Sequence, residues 1–272
     1  MKNQKRRIFA FICIMTMIVT LCYTPTTFAA TTKSFKTSGK TIVPIVKKGK
    51  DISKNTNAAL KEAARLGKKG KIYTVKLPKG TYYISESLKI WSNTTLDATG
   101  CTIKTKKTGF NMIATGSSED NRKATGYKRY TNLSIKGGTW VNNKKNKSSS
   151  IRLCRGSNIT LKNIDMSHGS EKHMVEMAAV DGVKIINCKF HDSDIKDSKE
   201  KCEAVQLDIC ANETAYSSII YDGSPCKNIQ IKGNTFENVS RGVGTHSMLL
   251  NNYIDNVSIE DNTFKKITQK AI

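Results

Sequence analysis

Four short segments carry the chain's most suggestive chemistry: SIRLC from Ser150, HMVEMA from His173, EAVQLD from Glu203 and RGVGTH from Arg241. Aligned on their apolar positions, Ile151, Val175, Val205 and Val243 form one column, and Leu153, Met177, Leu207 and Thr245 form another. If these columns face a core, strand alternation turns Arg152, Glu176, Gln206 and Gly244 outward together, and Cys154, Ala178, Asp208 and His246 outward in the next column. Glu176 and Asp208 then sit on adjacent strands, offset by two residues, with α-carbons roughly 8 Å apart. That spacing suits a water held between two carboxylates, as in inverting glycoside hydrolysis, where acid and base stand ~6.5–9.5 Å apart. His246 falls one strand from Asp208, close enough for a hydrogen bond that orients the imidazole. The expected catalytic set is therefore Glu176, Asp208 and His246.

A binding set surrounds it. Arg152 and Gln206 share the outer face with Glu176. His173, Glu203 and Arg241 open the same strands, inward by parity but beside a corner where the chain can turn them out, and Arg241 suits a sugar carboxylate. Long segments, Asp192–Cys202 and Cys210–Cys226, flank Asp208. Such loops on a rigid scaffold build clefts, and Tyr216 and Tyr221 offer apolar faces to sugar rings. His168 and His191 fall in turns and are expected to have local roles. No Cys-x-x-Cys or His-x-x-x-His spacing points to a zinc site, so no metal is expected.

The elements that must position these residues are repeats. One pattern recurs five times: NLSIKGGTW from Asn132, NITLKNIDM from Asn158, GVKIINCKF from Gly182, NIQIKGNTF from Asn228 and NVSIEDNTF from Asn256. The starts are 26, 24, 46 and 28 residues apart, the length of a three-sided β-coil with an occasional long loop. Each repeat is a strand, a polar turn and a large apolar residue. Gly138, Ile164, Cys188, Asn234 and Asn262 make the turn column, and Trp140, Met166, Phe190, Phe236 and Phe264 the closing column. Stacking predicts an interior apolar ladder with asparagines bonded along the stack. Period-2 alternation excludes an α-solenoid. Upstream, NAALKEAARL (Asn57 to Leu66) has helical spacing, with Asn55 or Thr56 as N-cap and Gly67 as stop, predicting a short amphipathic helix over about 55–66 that covers the open first coil.

The order of cap helix, VKLPKGTYYI, SLKIWSNTTLDATG and coil repeats resembles the pectate-lyase-like right-handed parallel β-helix superfamily of extracellular polysaccharide-active proteins, over most of residues 41–272. The resemblance implies an all-β, right-handed parallel β-helix, with coils over about 72–272. It does not carry catalytic residues across. The Asn-Thr-Asp, Asp-Asp and Gly-His-Gly set of the polygalacturonases and the Arg-x-Pro-x-x-Arg of the best-known pectate lyases are missing here.

Composition sets the compartment and the partner. Lys2, Lys5, Arg6 and Arg7 precede an apolar run from Ile8 to Cys22, and small residues follow at Ala29 and Ala30, the pattern of a secretory signal peptide over 1–30. The remainder, 31–272, reads as a single β-helix domain. Of the 272 residues, 45 are Lys or Arg and 22 Asp or Glu, a formal charge of +23. Removing the leader takes away four cations and no acid, leaving +19. That excess attracts polyanions, and export disfavours nucleic acid. After leader cleavage no membrane association is expected. Cys101, Cys154, Cys188, Cys202, Cys210 and Cys226 remain, in a compartment that permits disulfides, and the last three are close enough in sequence to staple a loop. The chain ends at Gln269–Ile272 in what reads as the opening of another strand, the expectation for a truncated coil.

These readings predict a secreted carbohydrate-active protein that cleaves glycosidic bonds of an acidic polysaccharide, without a cofactor. A lyase is the close rival, with a base abstracting the proton beside a uronate carboxylate and Arg, Lys or calcium neutralising the developing charge. A non-catalytic wall or glycan binder, or an adhesin built on the same solenoid, is the third alternative.

Overall fold

The computed structural model describes residues 33–169, 172–194, 203–213 and 215–272. The leader, Cys202 and most of the 192–202 loop lie outside the described residues. Strands of the repeats pair in parallel, each with its counterpart one repeat away. The closing-column register runs Trp140 to Met166, Met166 to Phe190, Phe190 to Phe236 and Phe236 to Phe264, as predicted. Phe236 stacks between Phe190 at 5.4 Å and Phe264 at 4.9 Å.

The parallel strands form three faces. One carries Gly80–Ile84, Cys101–Thr105, Thr139–Val141, Asp165–Ser167, Lys189–His191, Thr235–Glu237 and Thr263–Lys265. The other two are continuous in the two longest strands, Ile151–Lys162 and Val175–Ile186. Each of these turns a corner at one residue in the left-handed region, Arg155 (φ 57°) and Ala179 (φ 52°), which the ladder skips. Non-glycine residues occupy this region at a cost. Both corners are held in place from outside, as described below.

Asparagine serves many of the other turns, among them Asn93, Asn163, Asn187 and Asn238, because its short amide tolerates the left-handed region and bonds locally. Asn234 and Asn262 bond as the turn column predicts, at 3.0 Å. A second asparagine ladder, absent from the sequence reading, stands at the repeat starts. Asn132 donates to Asn93 at 2.8 Å, Asn158 to Asn132 at 2.7 Å and Asn256 to Asn228 at 2.8 Å, all with positive φ.

The helix spans Ser53–Leu66, starting before the predicted position. Neither Asn55 nor Thr56 caps it. The Ser53 N–H is taken by Asp51 Oδ1 at 2.8 Å instead. Asn57 bonds the strand edge through Ser87 O and Lys89 N–H at 2.9 and 2.8 Å. Thr56, Ala59, Leu60 and Ala63 form the buried face that the spacing predicted, against the strands Thr41–Pro44, Tyr73–Lys76 and Leu88–Ile90.

Candidate functional site

The third face carries the predicted columns as far as Gly244, where the fourth strand ends, so that Thr245, expected inward, is exposed and bonds Asp208, and His246 leaves the ladder. Ile151, Val175, Val205 and Val243 are in line, as are Arg152, Glu176, Gln206 and Gly244, and Cys154, Ala178 and Asp208. Toward the chain's start the face continues through Ile113–Thr115 and Leu88–Ile90, so Ala114 and Lys89 extend the column of Arg152.

Exposure differs from expectation. The outer column of Cys154, Ala178 and Asp208 is fully buried. The loop after Asp208 folds back across it and forms a second small core of Cys154, Ala178, Ala179, Cys210, Tyr216 and Ile219. Tyr216 is thus packed inside, whereas Tyr221 is exposed. Cys210 and Cys226 are both free thiols, so no disulfide between them staples this loop. An ion pair does. The Arg155 guanidinium, wholly buried, donates to Asp222 Oδ1 and Oδ2 at 2.7 and 2.8 Å, and also to the Ile220 carbonyl. Asp222 in turn accepts from the Gly126 N–H at 2.8 Å, and Tyr127 bonds the Pro225 carbonyl at 3.0 Å, tying this loop to the segment 116–129. Arg155 was missed in the sequence. Its signal was a charged residue followed by glycine at an unbroken junction between two strand patterns.

Asp208 holds a turn. Its Oδ1 accepts from Thr245 Oγ1 at 2.8 Å and from the N–H groups of His246 and Ser247 at 3.1 and 3.2 Å, and Oδ2 accepts from the Gln206 amide. With no exposed surface, it presents no carboxylate to a polymer. Glu176, also buried, accepts from Ser149 Oγ at 2.6 Å and Arg152 Nε at 3.1 Å. The two carboxylates therefore do not flank a common space as the hydrolase pairing requires. His246 Nε2 faces Asp208 Oδ2 at 3.6 Å, beyond hydrogen-bond distance.

His173, Glu203 and His246 converge, with His173 and Glu203 buried. Glu203 Oε1 is fixed by Arg241 at 3.2 Å, and Oε2 lies 3.5 Å from His173 Nδ1 and 3.6 Å from His246 Nδ1. Gly244 makes this packing feasible: a β-carbon there would stand 2.9 Å from Glu203 Cγ. Burial pulls the His173 imidazole below its ordinary pKa despite the neighbouring Glu176 and Glu203. Burial alone would raise the Glu203 carboxyl, but His246, its own backbone N–H and His173 hold it below the ordinary carboxylate range. Arg241 is committed to Glu203 and Gln269 and so is not poised for a uronate. His168 and His191 pair locally with Asp194 and with Asp165 and Asp192, as their turn positions suggested.

Beside the closed part of the face a cavity of about 210 Å³ opens between the two tied loops. Its floor carries Lys89, Ala114 and Arg152, one wall Asn121 and Arg122, and the other Tyr216 and Ser217. Arg152 is held over the Tyr216 ring at 3.6 Å, with its fork on Glu176 and Ser217 Oγ at 3.1 Å each. Lys89 and Arg122 are exposed and form no ion pair among the described residues. The nearby acids are spent elsewhere, Asp120 on Arg129 and Glu119 on Lys123. Gly116 shapes the wall. Its φ is 56°, and a β-carbon would overlap the Tyr130 hydroxyl that bonds Asn121 at 2.6 Å. Gly116→Ala is expected to cost about 2 kcal/mol in urea unfolding and to displace Asn121 from the cavity.

No family model and no curated protein matches the chain. Solved structures do. Two crystal structures of PfbA, described as a surface adhesin of Streptococcus pneumoniae, superpose with a TM-score of 0.66 at 20% and 22% identity, over 78% and 80% of this chain. The chain spans 53% and 58% of those proteins, little more than half their length. A "putative glycosyl hydrolase" from Parabacteroides merdae matches 78% of this chain and 88% of its own, with a TM-score of 0.53 and 10% identity. At these identities the likeness is one of fold.

Proposed function

We propose that the protein is a secreted right-handed parallel β-helix that binds an anionic polysaccharide along the face running from Lys89 to Arg152. The observation that carries this reading is the cavity lined by Lys89, Arg122 and Arg152, where two cations have no acidic partner among the described residues and the third is oriented by an aromatic ring. Arg152 is committed to Glu176 and Ser217, so Lys89 and Arg122 are the groups that meet a carboxylate. The excess of positive charge draws a polyanion to the cavity over a longer range. Binding is favoured over hydrolysis because Asp208 is fully enclosed and Glu176 is bonded to Ser149 and Arg152. The relation to an adhesin and to a protein named for glycoside hydrolysis is compatible with either activity on a glycan.

The test is retention of the protein on polygalacturonate and alginate against a neutral glucan, followed for reducing ends and ultraviolet-absorbing products. Salt-sensitive binding to the acidic polymers is expected, weakened roughly two- to thirtyfold in the Lys89→Gln/Arg122→Gln double variant, as loss of two screened charge contacts of about 0.2–1 kcal/mol each implies. Equal binding to the neutral polymer, or no change in the double variant, would overturn the reading. Reducing ends lost in Glu176→Gln would replace it with a hydrolase, and ultraviolet absorbance with a lyase.

A further inference from the structure

The cluster of His173, Glu203 and His246 lies outside the cationic cavity, and its chemistry is of another kind. Each side chain offers one ligand atom, and the three atoms lie within 4.8 Å of one another. Two contacts are closer: His173 Nδ1 and His246 Nδ1 stand 3.5 and 3.6 Å from the same oxygen, Glu203 Oε2. Zinc takes imidazole and carboxylate ligands at ~2.0–2.2 Å in tetrahedral geometry, which places neighbouring ligand atoms roughly 3.4 Å apart. The observed spacing is therefore close to that of a coordination polyhedron, and too long for hydrogen bonding.

A second, independent observation concerns Glu203 Oε2 itself. It is buried and accepts no hydrogen bond among the described residues, although the side chain is only 2% exposed. A buried carboxylate oxygen without a donor is costly, and such atoms in native proteins call for an explanation. Arg241 on Oε1 fixes the carboxylate so that Oε2 is aimed between the imidazoles. Gly244 supplies the room.

We propose that His173, Glu203 and His246 bind a divalent transition-metal ion, with zinc as the best match to the donor set. Two imidazoles and one carboxylate select zinc and its borderline neighbours over calcium, which takes oxygen ligands. On binding, His173 Nδ1 exchanges its 3.0 Å contact with the Glu203 carbonyl for the ion. With Nδ1 of His246 on the metal, its Nε2 carries the proton and faces Asp208 Oδ2 at 3.6 Å, while the Gln206 amide nitrogen at 3.3 Å is a donor spent on Asp208. The ion would tie together the starts of two successive strands and the 245–247 turn, whether or not the cavity binds a glycan.

The probes are zinc and cobalt(II), added to the chelator-treated secreted chain. Calorimetry is expected to give one zinc site per chain, and cobalt(II) the visible d–d absorption of a low-coordinate nitrogen and oxygen site. Glu203→Gln and His246→Gln are each expected to weaken zinc binding at least about tenfold, the lower range for disturbing a metal site. His191→Gln, which alters a surface histidine paired with Asp165 and Asp192, is expected to leave binding unchanged. Circular dichroism of each variant establishes that it is folded. His246→Gln alters a partly exposed residue, so it remains informative if Glu203→Gln unfolds. Absence of zinc binding by the unaltered chain, or binding lost in His191→Gln and kept in folded His246→Gln, would overturn the proposal.

Discussion

Replacing Asp222 with alanine is expected to lower the stability of the coil by about 3–5 kcal/mol, the range for leaving one member of a buried ion pair alone. The side chain left behind is the reason. Arg155 has no exposed surface, and Asp222 takes two of its hydrogen bonds, so the alanine variant strands a guanidinium beneath the 209–226 loop. Burial by itself would raise the Asp222 carboxyl, but Arg155 and the N–H groups of Gly126 and Ser224 outweigh it and bring the pKa from 3.8 down to about 2. The folded-state value is the lower one, so the stabilisation is complete above about pH 4 and is lost as pH falls toward 2. A depression of this size corresponds to about 2 kcal/mol. Urea titrations between pH 6 and 2 are expected to show the acid decline of the native chain and a flatter profile for Asp222→Ala. A loss below 1 kcal/mol at pH 6 would show that the loop does not depend on this pair.

Phe236→Ala is expected to have a comparable effect, about 3–5 kcal/mol, by a different route. Phe236 is fully buried between the rings of Phe190 and Phe264, and removing it opens a cavity that neighbours fixed by strand pairing cannot close. Phe264, partly exposed at the last described rung of that ladder, provides the internal comparison. Its alanine variant is expected to lose about half as much. Similar losses at both positions would mean that stacking between rings, rather than enclosure, sets the contribution.

The strand columns were legible because side-chain parity and the repeat length are local properties, and Val175, Val205 and Val243 announced their register by type alone. The closing ladder from Trp140 to Phe264 was legible for the same reason. What covers the outer face was not. A long segment such as 209–226 has no periodicity that states where it lands, and the landing determined that Asp208 and Tyr216 would be buried. Cys210 and Cys226 suggested a covalent staple, but both are free thiols and the contact that holds the loop is made by Arg155 from a distant repeat. In the sequence, His173 and Glu203 form one column with Arg241, and His246 is assigned to another. Their convergence depended on Gly244, whose missing side chain reads in sequence as nothing more than a weak strand residue.

The bond from Gly126 to Asp222 and the one from Tyr127 to Pro225 join residues 96 and 98 positions apart, passing over two intervening coils. A solenoid held only by adjacent repeats melts as a row of neighbours, each able to fray from an end. Here the first and fourth strands of that stretch are connected from outside, so neither can open without straining the two between them. The four coils are thereby made into a single cooperative unit, and the face that carries Arg152 and Glu176 lies inside the part of the molecule least free to unwind.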